Sequence, residues 1–132
     1  TEILYVNGAD MTSVESTATA KLQASKDADV IIGLGAPITL TLLKSVATAG
    51  SEAKVASFDL NKELAQKISD GSVLFTVDQQ PWLQGYGAVD ALWQNKRGGF
   101  NIGGGQAVLT GPAIIDQSNA ADVLKFAEQG IR

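Results

Sequence analysis

The chain has 132 residues, enough for one ordinary domain with a sizeable core, and 45% of them are apolar while 18% are charged. Ten Lys and Arg residues against fourteen Asp and Glu residues give a net charge of −4, so no basic surface is expected that would bind a nucleic acid. Because the chain contains neither His nor Cys, Ser–His–Asp triads, Cys–His nucleophiles, thiolate zinc sites and disulfides are excluded.

Short apolar runs rich in β-branched residues alternate with helical patterns along the chain, which predicts a parallel sheet covered by helices. The expected order is βαβαβαβα followed by an irregular tail. The fold class is therefore predicted to be α/β, a three-layer α/β/α arrangement around a mainly parallel sheet. The predicted strands are Ile3–Val6, Val30–Leu34, Lys54–Phe58, Val73–Val77 and, near the end, Ala107–Thr110.

The first three helices are predicted from their apolar spacing and their terminal residues. The first helix covers about Ser13–Ser25. The second begins at Pro37 and ends at Gly50, while Asn61 caps the third and Gly71 closes it. The side chains expected to face the core are Val14, Ala18, Leu22, Ile38, Leu42, Val46, Leu64, Ala65 and Ile68.

The fourth helix is predicted from Pro81 to about Asn95, and its apolar stripe is unusually aromatic: Trp82, Tyr86, Val89 and Trp93. Helical spacing alone favours buried packing of this stripe over a sugar-stacking surface. The segment Lys96–Gly105 contains too many glycines for regular structure and is expected to be a mobile loop. Asn119 and Asp122 resemble a capping box at the start of a last helix.

Gly33-Leu34-Gly35 follows a predicted strand and precedes a helix, which is the position of a dinucleotide-binding fingerprint. Ile38 occupies the place of the third glycine, so the Rossmann signal is weak. The favoured interpretation is that these glycines allow a sharp turn from the strand into the helix at Pro37.

Polar residues follow the third and fourth predicted strands, at the edge where open parallel sheets bind ligands. Asp59 could accept hydrogen bonds from two neighbouring hydroxyls of a neutral polyol, or it could stabilise the turn into the next helix. Asp78, Gln79 and Gln80 could likewise bind hydroxyls or make turn and hinge contacts. An acid/base pair of Asp59 and Asp78, as in a glycosidase, is disfavoured because nothing marks a deep cleft around an acid of raised pKa.

Three stretches follow one another in a characteristic order: Ser57-Phe58-Asp59, Ile68-Ser69-Asp70-Gly71, and Thr76-Val77-Asp78-Gln79-Gln80-Pro81 continuing to Tyr86. Ala28-Asp29-Val30-Ile31-Ile32 and Thr110-Gly111-Pro112 add support. With these motifs, nearly the whole chain resembles periplasmic sugar-binding proteins of ABC transporters, of the ribose-binding type.

The resemblance implies a binding protein rather than an enzyme, with no catalytic residue, no cofactor and no metal. Members of this family close two α/β lobes on a sugar, and residues 1–132 would be the C-terminal lobe with a hinge crossing near residues 79–81, without the N-terminal lobe. The implied partners are a monosaccharide, the missing lobe and an ABC permease in the membrane. The implied location is the periplasm, or outside the membrane on an anchor.

Four ligand-binding positions are carried over from the resemblance. Asp59 matches the acidic residue that holds sugar hydroxyls, and Gln79 matches the glutamine on the strand leading into the hinge. Met11 lies where relatives often place a stacking aromatic residue, and Gly35 lies where relatives often have Asn or Asp. On this reading the fourth helix would lose its cover in an isolated lobe, which predicts either a homodimer, formed through this helix or by exchange of residues 81–132, or a protease-sensitive tail.

Two alternatives stay open. The glycines at 33 and 35 and the two strand-end carboxylates also fit a small Rossmann-like nucleotide-binding domain or enzyme. Effector domains of lactose-repressor-type regulators share the same lobes, although this chain contains no helix-turn-helix headpiece.

Overall fold

The computed structural model describes residues 1–132 and confirms the predicted α/β class. A mostly parallel sheet is flanked by helices, and none of the helices is both long and apolar enough to cross a membrane. The elements are α1 Met11–Ala24, β1 Val30–Gly33, α2 Ala36–Ala49, β2 Lys54–Phe58, α3 Lys62–Ser69, β3 Phe75–Asp78, α4 Pro81–Gly98, a 3-10 turn Ile102–Gly105, β4 Ala113–Asp116 and α5 Ala120–Glu128.

The sheet has the strand order β1-β2-β3-β4. Strands β1 and β2 are parallel, with Gly33 opposite Ser57, and β2 and β3 are parallel, with Ser57 opposite Thr76. Strand β4 runs antiparallel to β3 and places Ile115 opposite Thr76. Because the three parallel strands end at the same edge, the loops that follow Gly33, Phe58 and Asp78 lie side by side.

One hydrophobic core joins the sheet to helices α1, α2, α3 and α5. Strand side chains from one face of the sheet, such as Val55 and Ile115, pack against Leu42, Leu64 and Ile68 of the helices. On the opposite face, apolar side chains of the outer strands are about half exposed: Val30, Ile32 and Ile114. Most of the predicted core is confirmed as buried: Val14, Ala18, Leu22, Leu42, Leu64, Ala65 and Ile68, while Ile38 and Val46 pack partly buried against it.

The helix ends follow local hydrogen bonding. Asn61 caps α3 by accepting the Leu64 amide at 2.8 Å, and Gly50 ends α2 in the left-handed region, both as predicted. Helix α1 begins earlier than predicted, because the Asp10 carboxylate accepts the amides of Thr12 and Ser13. The capping box at α5 is wrong: the Asn119 side chain accepts the Asp116 amide instead of capping the helix.

Two predicted strands are wrong. Ile3–Val6 has no ladder partner, and Ile3 and Tyr5 are largely exposed, because an alternating apolar pattern makes a strand only where a neighbouring backbone pairs with it. Ala107–Thr110 is irregular and exposed as well. The last strand is instead Ala113–Asp116, which pairs with β3 and buries Ile115 in the core.

Helix α4 contradicts the burial expected from its spacing, since none of its residues is buried. Trp82 is 49% exposed, Tyr86 62% and Trp93 56%, as the family resemblance implied for an uncovered helix. Trp82 and Tyr86 stack on each other with ring centroids 5.3 Å apart. The helix also runs to Gly98, into the segment predicted as a loop, and glycines with positive φ form the turn after it.

Candidate functional site

The carboxyl edge of the parallel strands brings Asp59 and Gln79 together. Gln79 donates from Nε2 to Asp59 Oδ1 at 2.6 Å, although twenty residues separate them. Both side chains are partly buried. The two residues that the sequence singles out most strongly therefore form one polar pair at the sheet edge.

The backbone at Asp59 adopts an unusual conformation. Its φ is 67°, in the left-handed region that side-chain-bearing residues rarely occupy. Neighbouring strand β3 holds it there, because the Asp59 amide donates to the Val77 carbonyl at 2.9 Å and the Asp59 carbonyl accepts the Thr76 hydroxyl. Such strain persists where the surroundings over-determine it, and it clusters at functional sites.

Asp78 serves the backbone rather than an open cleft. Its side chain is fully buried, and Oδ1 accepts the Gln80 amide at 2.9 Å while Oδ2 lies 3.0 Å from Arg132 Nη2. A carboxyl engaged in this way cannot be presented to a glycosidic bond beside Asp59. The geometry therefore favours the turn and hinge interpretation of Asp78 over an acid/base pair.

The Gly33–Gly35 turn is explained by packing. A Cβ atom on Gly33 would clash with Thr39 Oγ1 and lie 2.9 Å from the Thr39 Cα atom. The Thr39 hydroxyl contacts Ser57 Oγ at 2.6 Å and donates to the Gly35 carbonyl at 2.9 Å. Gly35 has a φ of 150° and faces open space beyond its Cα atom. These glycines thus allow the turn and the close approach of α2, as the simpler interpretation expected.

Met11 and Gly35 lie at the starts of α1 and α2 and make no polar contact with the Asp59–Gln79 pair. Met11 is partly buried, and Thr41 Oγ1 lies 3.6 Å from its sulfur. The structure places these two predicted site residues on neighbouring elements without joining them to the pair.

Sequence reasoning missed Thr76, Thr110 and Arg132. Thr110 Oγ1 donates to the Gln79 carbonyl at 3.0 Å, and Arg132 Nη1 donates to Gln80 Oε1 at 3.0 Å. Both contacts span thirty or more residues, so no local pattern indicates them. Thr76 could have been found only from its place in β3, where buried and partly buried side chains alternate.

The Asp59–Gln79 pair lies at the carboxyl edge of the sheet, where both side chains are partly exposed. A cavity of about 640 Å³ lies between Thr1, Glu2 and Leu4, the end of α1 and the start of β1, and neither Asp59 nor Gln79 lines it. No group of three or more carboxylates converges to hold a metal ion. A carboxylate beside a side-chain amide at this edge can accept and donate hydrogen bonds with the polar groups of a ligand.

Comparison with known proteins gives the family. Residues 2–99 match the model of the periplasmic binding protein domain. A carbohydrate transporter from Acidothermus cellulolyticus 11B, solved in complex with myo-inositol, is 50% identical with a TM-score of 0.93 over 98% of this chain and 45% of its own. No curated protein matches the sequence.

More distant structures share the fold. A Caulobacter myo-inositol binding protein bound to myo-inositol has a TM-score of 0.74 at 24% identity, over 91% of this chain and 41% of its own. An arabinose binding protein from Geobacillus stearothermophilus has a TM-score of 0.69 at 22% identity, over 86% and 41%.

This chain spans less than half the length of each of these proteins. The family model and the 50% identical carbohydrate transporter confirm the expectation of a binding protein rather than an enzyme. This argues against the Rossmann-like nucleotide-binding alternative. With its family model matched over residues 2–99, as the motifs around Asp59 and Gln79 implied, the chain belongs to the periplasmic binding protein domain family.

Proposed function

We propose that this chain supplies one side of a binding site for a neutral cyclic polyol, in the extracytoplasmic substrate-binding component of an ABC-type sugar importer. The observation that carries the proposal is the Asp59–Gln79 pair, held at the carboxyl edge of the sheet with Asp59 in a strained backbone conformation. The family and the 50% identical carbohydrate transporter support a solute-binding role.

The pair has the chemistry to recognise hydroxyl groups. Gln79 occupies Asp59 Oδ1, while Asp59 Oδ2 and Gln79 Oε1 make no hydrogen bond within the chain. Two acceptors side by side suit two neighbouring hydroxyl donors on one ring. No basic side chain is paired with Asp59, so the carboxylate disfavours an anionic ligand and the site favours a neutral one.

The ligand proposed first is myo-inositol, because the 50% identical structure is in complex with it. Met11 offers a flexible apolar surface in place of a flat aromatic ring, and Gly35 offers only backbone groups. These departures from the sugar-binding pattern fit a ligand other than the usual pyranose monosaccharides.

We further propose that residues 1–132 are the C-terminal lobe, that the chain crosses toward a second lobe near residues 79–81, and that α4 packs on that lobe. Two observations support this: the chain covers 45% of its 50% identical relative, and α4 has an apolar stripe without a buried residue. Aromatic side chains bury about 150–250 Å² each, so the stripe could cover several hundred Å². The second lobe would complete the site, and a permease would receive the closed form.

In the isolated chain, the same stripe is proposed to support a homodimer, since several hundred Å² of contiguous apolar surface favours association. The role as an effector domain of a lactose-repressor-type regulator stays a hypothesis without a specific observation in its favour.

The test is a hybrid in which this chain replaces the matching part of the Acidothermus protein. Calorimetry is expected to show myo-inositol binding by the hybrid, and Asp59→Ala is expected to weaken it at least tenfold, because a hydrogen bond to a charged group contributes about 1.5–3 kcal/mol. Asp27→Asn, an exposed carboxyl change away from the pair, is the matched control.

The isolated chain provides the second measurement. In a ¹⁵N NMR titration with myo-inositol, we expect shifts confined to Asp59, Gln79 and their neighbours, with an affinity in the millimolar range or weaker, since one lobe leaves half of the ligand in water. Micromolar affinity of the isolated chain would contradict the half-site, and unchanged affinity of the Asp59→Ala hybrid would remove Asp59 from the site.

A further inference from the structure

Arg132 joins the end of the chain to the end of β3. Its Nη2 forms an ion pair with Asp78 Oδ2 at 3.0 Å without hydrogen-bond geometry, and its Nη1 donates to Gln80 Oε1 at 3.0 Å. Asp78 Oδ1 in turn accepts the Gln80 amide at 2.9 Å. The residues on both sides of Gln79 are therefore held by one guanidinium group.

This ion pair differs from the others in the molecule by its burial. The Asp78 side chain is fully buried and that of Arg132 is 23% exposed, whereas every other ion pair has both side chains about one third exposed or more. A buried carboxylate depends on its partner far more than an exposed one does, because water cannot replace the lost charge.

The local backbone also needs support. Gln80 has a φ of 58°, a left-handed conformation for a residue with a side chain, directly before Pro81 opens α4. Gln80 Nε2 donates to the Thr110 carbonyl, and the Thr110 hydroxyl donates back to the Gln79 carbonyl at 3.0 Å. Thr110 thus contacts the Gln79 carbonyl directly, while Asp78 and Arg132 hold the neighbouring Gln80.

We infer that Arg132 and Asp78 are positioning residues that fix the backbone of Gln79, so that its side-chain amide reaches Asp59 and the polar pair is preformed. Neither residue touches the ligand in this assignment, which rests on the proposed function. Removing Arg132 frees Gln80 and leaves the Asp78 charge without compensation, so the Gln79 amide loses its fixed direction. Preorganised polar groups bind more tightly because less ordering is needed on binding.

A guanidinium suits this role better than an ammonium group does. The guanidinium reaches Asp78 and Gln80 with two different nitrogens, whereas a lysine ammonium is a single point charge on a flexible stem. Arg132→Lys therefore keeps the charge next to Asp78 but not both contacts at once. The variant separates charge compensation from geometry.

The experiment compares Arg132→Lys, Arg132→Met and the double variant Asp78→Asn/Arg132→Met in this chain and in the hybrid. Lys26→Met is the matched control, since Lys26 is an exposed cation in the loop before β1 and belongs to none of the ion pairs. Three quantities are measured: the resonances and hydrogen exchange of the Gln79 side-chain amide, the unfolding midpoint in urea, and the affinity of the hybrid for myo-inositol.

In Arg132→Met we expect a shifted, faster-exchanging Gln79 amide and at least a tenfold loss of affinity, and in Arg132→Lys a smaller change of both. The double variant removes the uncompensated charge, while the side-chain oxygen of the new asparagine still accepts the Gln80 amide. Its unfolding midpoint should recover while its affinity stays low, a separation that a merely structural role would not produce.

An unchanged Gln79 amide in Arg132→Lys and Arg132→Met would overturn the inference, as would an affinity that recovers together with stability in the double variant. If the unsubstituted hybrid does not bind myo-inositol, the proposed function fails at that step. The Gln79 amide in the isolated chain then still decides whether Arg132 positions it.

Discussion

Helices α3 and α4 both carry a regular apolar stripe, but only the stripe of α3 is buried. In α3, Leu64, Ala65 and Ile68 are completely buried. In α4, which is more than twice as long, no residue is buried and Leu92 is 72% exposed. An amphipathic pattern shows that a helix has a face to cover, but not where the covering surface comes from.

Topology explains the difference. Helix α3 connects β2 to the neighbouring parallel strand β3, and such a crossover lays its helix on the sheet. Helix α4 instead follows β3 and leads through a long segment to the antiparallel strand β4, so its connections do not hold it against the sheet. Burial of α4 therefore depends on a surface other than the sheet and the helices that form this core.

The largest effect should come from a matched pair of leucine truncations. Leu64→Ala is expected to lower the free energy of unfolding by about 2–5 kcal/mol, because it leaves a cavity in the core. In dilute solution, where the chain is monomeric, Leu92→Ala on α4 should change it by no more than about 0.5 kcal/mol, since the side chain already contacts water. Urea denaturation followed by circular dichroism measures both. A comparable loss for Leu92→Ala in the monomer would mean that α4 is covered within the chain itself.

Two glycine substitutions should change stability in opposite directions, one next to the core and one in α4. Gly33→Ala brings a Cβ atom into a clash with Thr39 Oγ1 and is expected to destabilise the fold by about 1–3 kcal/mol. Gly85→Ala meets nothing within 4 Å and should stabilise α4 locally by about 0.5–1 kcal/mol. Hydrogen exchange resolved by residue reads both effects. Slower exchange around β1 in Gly33→Ala would contradict the packing argument.

Substitutions of Asp59 test whether the left-handed backbone after β2 is strained. Asp59→Gly and Asp59→Ala both remove the carboxylate, but only glycine adopts a φ of 67° without strain. The glycine variant is therefore expected to be about 1 kcal/mol more stable than the alanine variant, while both lose the response to myo-inositol. Thermal and urea unfolding compare the two. Equal stabilities would show that the left-handed backbone at this position carries no strain.

The smallest expected effect is the pH dependence of stability that comes from Asp70 and Asp116. The Ser72 hydroxyl and amide lower the pKa of Asp70 below its ordinary value of 3.8, and Ser118 does the same for Asp116. Since the folded state binds these protons more weakly, the stabilisation is present above the ordinary value and is lost as the pH falls through the lowered pKa. Carboxyl ¹³C titration should show that Ser72→Ala raises the pKa of Asp70 and leaves that of Asp116 unchanged. If the pKa values of Asp70 and Asp116 both rose in Ser72→Ala, loss of the Ser72 hydroxyl contact would not explain the change at Asp70.

Much of this protein was determined by the sequence alone. Helical periodicity and local caps predicted α2 and α3 with their core residues, and the motifs singled out Asp59 and Gln79 after two strands, although not the hydrogen bond between them. These features depend on residues close along the chain, or on strand ends that parallel topology brings to one edge. Asn61 shows the reason most directly, since its partner Leu64 is only three residues away.

Only the tertiary structure decided which apolar segments find partners. Ile3–Val6 has the pattern of a strand and no ladder, while Ala113–Asp116 is a strand because β3 lies beside it. The contacts of Arg132 with Asp78 and Gln80 join segments more than fifty residues apart. Pairing, burial and long-range ion pairs depend on what the fold brings near, and a single sequence carries no local signal of that neighbour.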